Sequence, residues 1–326
     1  MPKERAVAIA QTLTLLVFMS LGTVLMKLAL TDVPPFSFAA LTLLIGMIAL
    51  SVYTFLIRGE RIPHGLSREV WLYIIAIGLC NFVISRIAQT FALQRLPATT
   101  NTYLSNFIGF ITMGMSIFIL KESPTVFQVL GAFVALIGLR IFFVAIPSAY
   151  ELTGVGLILI GIIAVAFTNN IARKLALITQ NQLSNNIVST LALLIGGGLT
   201  VMIGLGAGGL PQVQGWRAWA IIFYYGIVIV AIGLTVWNRI LRTLRSYEAS
   251  ILGASTVMWT ALLAIPILGE RLSLNQIGGI VLMVMGLALV QIRRGKFSSL
   301  QHHASCALRL ALGMRVINAR RKTQDE

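Results

Sequence analysis

The chain is a succession of long apolar runs broken by short polar punctuation. Ten windows are apolar over about the 20 residues that a helix needs to cross hydrocarbon: residues 6–30, 36–57, 70–93, 99–119, 124–146, 153–172, 185–207, 218–238, 249–268 and 273–292. The stretches 36–57, 99–119 and 219–238 hold no charged side chain. None shows the short alternating segments with which a β-barrel separates lipid from lumen. The pattern predicts an all-α membrane protein with ten transmembrane helices.

Composition points the same way. Hydrophobic residues make up 57% of the 326 positions and charged ones 11%, against roughly a quarter charged in a soluble domain. Too little charge is present to cover a folded surface in water, so the partner implied is the lipid bilayer. The net charge of +15 could suggest nucleic acid, but its distribution excludes that reading. With a cytoplasmic N-terminus, 19 of the 25 Lys and Arg residues fall on the inner side, only Arg95, Arg217 and Arg271 fall outside, and Lys27, Arg86 and Arg140 lie within spans. That bias sets orientation, and it places both termini in the cytoplasm of a bacterial plasma (inner) membrane. Cys80 and Cys306 form no disulfide framework and no metal-ligand spacing. No cofactor or metal is implied. The first apolar run lacks a small-residue cleavage site and reads as a retained helix rather than a signal peptide.

The two halves of the sequence repeat. Glu122, Gln128, Gly131, Gly138 and Leu139 recur as Glu270, Gln276, Gly279, Gly286 and Leu287 at an offset of 148 residues. Lys27-Leu28-Ala29-Leu30 recurs as Lys174-Leu175-Ala176-Leu177 at an offset of 147. Two matches at nearly one offset indicate a duplicated unit. The organisation expected is a first five-helix repeat over 1–147, a second over 148–293, and a basic cytoplasmic tail over 294–326. Five is odd, so the second copy enters the membrane inverted. Inverted repeats are a recurrent design of secondary transporters, in which two halves open a central site alternately to each side.

With these features the chain resembles the EamA-type members of the drug/metabolite transporter superfamily. The resemblance runs from residue 6 to about 293 and rests on the two five-helix units. Each carries a glutamate before its last helix (Lys121-Glu122-Ser123 and Gly269-Glu270-Arg271) and glycines within that helix. Where members often carry a proline in the fourth helix of each unit, this chain has Gly109 and Val257. The resemblance implies a carrier of a small metabolite, often an exporter.

Few residues can carry the chemistry. Arg86 lies well inside the third span. A charge there costs several kcal/mol or more unless it faces a cavity or partner. It either binds an anionic group at a cavity wall or snorkels to the outer headgroups. Asn81, Ser85 and Gln89 fall at helical spacing beside it. The fourth span carries Asn101, Ser105, Thr112 and Ser116, with Tyr103 and Asn106 nearby. Trp237 and Asn238 occupy the positions equivalent to Gln89 and Thr90, and Asn169 and Asn170 lie in the sixth span. All are substrate-cavity candidates, with helix-to-helix hydrogen bonding as the alternative. Glu122 and Glu270 are expected to cap the last helix of each unit, or else to couple transport to protons. Gly131, Gly138, Gly279 and Gly286 are expected to let helices pack closely. Lys27 and Arg140 are expected to snorkel.

No His, Asp or Cys–His constellation sits at membrane depth, so an enzyme is not expected. With no fixed negative charge mid-span, the substrate favoured is an anionic or zwitterionic metabolite such as an amino or organic acid. The competing reading is a non-transporting scaffold, sensor or lipid scramblase on the same fold. The oligomeric state, monomer or homodimer, stays open.

Overall fold

The computed structural model describes residues 2–63, 65–121, 125–143, 148–180, 183–208, 213–237, 253 and 255–290. They lie in a body over Met1–Gln291. The expected tail, with Cys306, lies outside the described residues, as do Glu122 and Asn238.

Ten helical rods are described: α1 Pro2–Ala29, α2 Pro35–Ile57, α3 Arg68–Arg95 and α4 Ala98–Ile119, α5 Val126–Phe142, α6 Ala149–Ile178, α7 Asn185–Gly208, α8 Trp216–Trp237, α9 Thr256–Leu268 and α10 Leu274–Val290. No strand occurs among the described residues, as expected in lipid, where a chain must satisfy its backbone polar groups internally. Seven rods are long and apolar enough to cross a membrane by themselves. The other three, α5, α9 and α10, are shorter, at 17, 13 and 17 residues.

The starts of the rods are written in the sequence. Proline opens α2 at its first position, where its missing N–H costs nothing. Ser67 accepts from Val70 N at the start of α3. Reciprocal capping boxes open α5 (Thr125 with Gln128) and α6 (Ser148 with Glu151). Ser273 and Gln276 exchange the same two bonds at α10. The repeated glutamines are therefore the fourth residues of S/T-x-x-Q boxes. They, and not Glu270, satisfy the start of the last helix in each half.

The surface is inside out relative to a water-soluble protein. Val126, Val129, Leu130, Phe133 and Leu136 along α5 are all exposed, as are Ile160, Ile163, Leu262 and Ile265 on α6 and α9. An apolar belt of this extent needs lipid against it.

Packing between the halves comes in mates. α5 packs on α10, α2 on α7 and α4 on α9, each helix against its own equivalent. The pair α3–α6 is matched by α8–α1, α2–α8 by α7–α3, and α1–α9 by α6–α4. The α5–α10 seam shows the direction. A Cβ on Gly138 would lie 2.9 Å from the Gly279 carbonyl oxygen, and one on Gly286 would lie 2.5 Å from that of Gly131. Ascending positions on one helix thus meet descending positions on the other, so α5 and α10 run antiparallel. Their backbones touch because no side chain intervenes.

The rods are not uniformly α-helical. π-helical turns occupy Leu79–Ser85 in α3 and Tyr225–Ile232 in α8. Shifted by the repeat offset of 148, the first falls on residues 227–233, over the second. A π turn re-aims the side chains beyond it and is common at functional sites.

Candidate functional site

One residue of each polar stripe, Asn81 on α3 and Thr112 on α4, reaches a common cavity. A space of about 560 Å³ lies among α3, α4, α6, α7 and α8, with both halves contributing its wall. α3 supplies Ile77, Asn81 and Phe82, and α4 supplies Thr112. α6 supplies Thr168, Asn169 and Arg173, its C-cap supplies Thr179, α7 supplies Asn185 and Ser189, and α8 supplies Leu234 and Trp237. Among the described residues, Arg173 is the one charged residue of this wall and no carboxylate lines it. Asn169 and Arg173 are exposed, and Asn169 Nδ2 donates to Thr112 Oγ1 across the space at 3.4 Å. The wall runs from the middle of α3 to the α6–α7 turn, so the cavity belongs to one end of the bundle.

The opposite end is filled. Val24 of α1, Leu30 just after it, Phe38 of α2, Leu93 of α3, Ala98 of α4, Ile222 of α8 and Ala264 of α9 form a buried apolar cluster there. Hydrogen bonds tie the same region: Lys27 Nζ donates to the carbonyls of Leu93 and Gln94 at 2.8 and 3.0 Å. Lys27 therefore turns inward to the end of α3 and does not snorkel.

Arg86 also turns inward. Its Nη2 donates to Thr42 Oγ1 of α2 at 2.7 Å, and its guanidinium carbon sits 4.4 Å from the ring centroid of Tyr225 on α8. That places the charge between α2 and α8, not among headgroups. Its Nε is buried without a hydrogen-bond partner among the described residues. The aromatic face supplies part of the missing solvation. Arg86 directly follows the π turn of α3, and Tyr225 begins that of α8. It is not in the wall of the 560 Å³ cavity.

Of the other expected site residues, Asn81, Thr112, Asn169 and Trp237 line the cavity, and the remaining described ones have structural surroundings. Gln89 Nε2 donates to Ser85 Oγ at 2.7 Å and packs against Gly161 of α6. Asn170, 2% exposed, donates to the carbonyls of Thr112 and Ala166, both at 3.0 Å, and so binds α6 to α4. Tyr103 is fully buried, stacked on Phe142 at 4.0 Å with its hydroxyl 3.4 Å from the Gly279 carbonyl. It is a packing residue because the first half of α4 is wedged among α5, α6 and α10. Asn101 is buried there too. Asn106 donates to Thr102 O and to Thr256 Oγ1 of α9. Glu270 accepts from the backbone N–H groups of Ala98 and Thr99, capping α4 of the first half and not its own α10.

Sequence reasoning passed over Arg173, Thr168, Asn185 and Ser189 as site residues. The signal was present: Asn169 and Arg173, and Asn185 and Ser189, are pairs at i, i+4 near the ends of two consecutive rods. Thr42 and Tyr225 carried no such signal, since only folding brings them to Arg86.

The sequence matches the EamA-like transporter family over residues 6–144 and again over 148–292. The chain belongs to that family. The two matched stretches are its two EamA repeats, and the family's members are membrane transporters of the drug/metabolite transporter type, not enzymes. A solved crystal structure of a protein superposes on this family member with a TM-score of 0.59 at 20% identity, covering 86% of this chain and 98% of that one. At that identity the likeness speaks for the fold alone. No curated protein matches the sequence.

Proposed function

We propose that this EamA-like protein is a secondary or facilitative carrier of a small anionic or zwitterionic metabolite. It works by alternating access between two inverted five-helix repeats in a ten-span topology. The observation that carries the reading is the cavity of about 560 Å³ built from both halves, polar along α6 and α7, with Arg173 in its wall and no carboxylate among the described residues that line it. A guanidinium binds carboxylate or phosphate oxygens by charge-assisted, bidentate hydrogen bonds. The same field repels cations. The antiparallel α5–α10 seam and the mated packing pairs support the inversion. One end filled and the other hollow is what one extreme of an alternating cycle requires. The charge bias supports a cytoplasmic position for the hollow end. Arg86, outside this wall and held between α2 and α8, is a second cation for a substrate on its way across.

The test is uptake into proteoliposomes of pooled labelled amino acids, organic acids and phosphorylated metabolites by wild type, Arg173→Ala and Arg86→Ala. Saturable uptake of an anionic pool, weakened in the Arg173 variant, is the expected result. Absence of uptake of every pool by folded protein would transfer the weight to a scaffold or scramblase. Uptake of cations alone would refute the charge argument.

A further inference from the structure

One charged pair lies away from the cavity, at the filled end of the bundle. Lys27 Nζ donates to the carbonyls of Leu93 and Gln94, in the last turn of α3. The two Glu270 carboxylate oxygens accept from the N–H groups of Ala98 and Thr99, in the first turn of α4. α4 has Pro97 at its N-cap and no side-chain cap of its own. The α3–α4 turn is thus held from both sides, with a cation on the negative end of one helix dipole and an anion on the positive end of the next. The two charges also attract each other. Lys27 belongs to the first repeat and Glu270 to the second. Glu270 arrives on the α9–α10 turn, where Gly269 adopts a left-handed φ of 70° that a side chain would resist.

The geometry points to a latch: we propose that Lys27 and Glu270 lock this end of the transporter shut while the cavity end is open, and that the shut end opens only when Glu270 leaves the α4 N-terminus. The inference rests on the alternating-access reading above. Apolar packing around Val24, Leu93 and Ala264 closes the end without directional preference. Of the four charge-assisted, directional bonds, the two from Lys27 lie within the first repeat and hold its α3–α4 turn in place. The two to Glu270 cross between the repeats and are lost on a small displacement of one against the other. They therefore make closure two-state. Opening admits water, which re-solvates both charges, so the lock is reversible where a permanently buried pair would not be. Lys27 and Glu270 are positioning residues in this scheme; neither lines the cavity.

The experiment reads conformation directly. In a background carrying Cys80→Ser and Cys306→Ser, Ala264→Cys reports the filled end, since Ala264 is fully buried in its cluster. Ala176→Cys reports the cavity wall. Rates of alkylation by a membrane-impermeant maleimide are measured in right-side-out and inverted vesicles. In Glu270→Gln and in Lys27→Met, the Ala264 reporter is expected to react roughly tenfold faster, as for the loss of a charge-assisted bond, and the Ala176 reporter more slowly. Lys27→Arg keeps a donor and is expected to restore the rates of the parent. Unchanged rates at both reporters overturn the latch, as do rates that rise at both, which mean general loosening. Should Glu270→Gln not fold, Lys27→Met decides alone. A reciprocal shift in labelling without transport of any pool would leave the latch standing and remove the carrier reading; transport with no shift does the reverse.

Discussion

Substituting Gly286 by alanine puts one methyl group into the seam between the two repeats. The new Cβ would lie 2.5 Å from the Gly131 carbonyl oxygen and 2.9 Å from Ala135 N, where ordinary contacts begin at 3.4 Å. Both obstacles are backbone, so no side chain can swing aside, and α5 and α10 must separate by about 0.9 Å to remove the first overlap. Overpacking of this kind costs ~1–3 kcal/mol. Against it, alanine gains up to ~1 kcal/mol of helix propensity over glycine. Gly114 on α4 isolates that gain, because a Cβ there meets nothing within 4 Å. The quantity to measure is therefore the difference in melting temperature between Gly286→Ala and Gly114→Ala, followed by fluorescence-detected size exclusion after heating in detergent. Gly286→Ala is expected to melt lower than Gly114→Ala, at roughly 2–4 °C per kcal/mol. Gly138→Ala, at 2.9 Å from the Gly279 oxygen, should fall in between. Equal melting temperatures for the Gly286 and Gly114 variants would refute the backbone contact on which the antiparallel seam rests.

Three further outcomes are expected. Arg173→Ala should raise KM for an anionic substrate by roughly tenfold or more, the scale of one lost charge-assisted hydrogen bond; a KM that moves no more for anions than for neutral analogues counts against Arg173 as the recognition group. Thr42→Val removes the acceptor of Arg86 Nη2 and leaves a half-buried guanidinium against Tyr225, so it should cost about 1–3 kcal/mol of stability, while Thr42→Ser costs less in the same melting assay. Ser273→Ala deletes one side of the α10 capping box and should cost about 1 kcal/mol without changing the alkylation rate at Ala264, which separates it from Glu270→Gln.

The apolar windows were enough to fix helical class and to locate most rods within a few residues, since in lipid only a helix satisfies its own backbone over 20 residues. The repeat was legible because the duplicated glycines and glutamines sit where helix contacts and caps permit few alternatives. A capping box is local, spanning four residues, and the sequence contains all of it. Thr125-x-x-Gln128 and Ser273-x-x-Gln276 could have been read as such directly.

What local sequence could not decide is which partner a polar or charged residue finds across the bundle. Glu270 stands four residues before α10 yet holds the N-terminus of α4, 172 residues away. Arg86 sits one turn from Asn81, but the π segment and the packing of α2 and α8 send it to Thr42 and Tyr225. Tyr103, Asn101 and Asn170 look like cavity residues on a helical wheel and lie in packed interior. Arg173 looked like a loop cation and lines the cavity. The physical reason is range. Hydrophobic burial and backbone hydrogen bonding act along the chain with a fixed period, whereas a side-chain partner depends on the relative rotation and crossing of helices distant in sequence. That choice belongs to the tertiary structure, and with it the composition of the site.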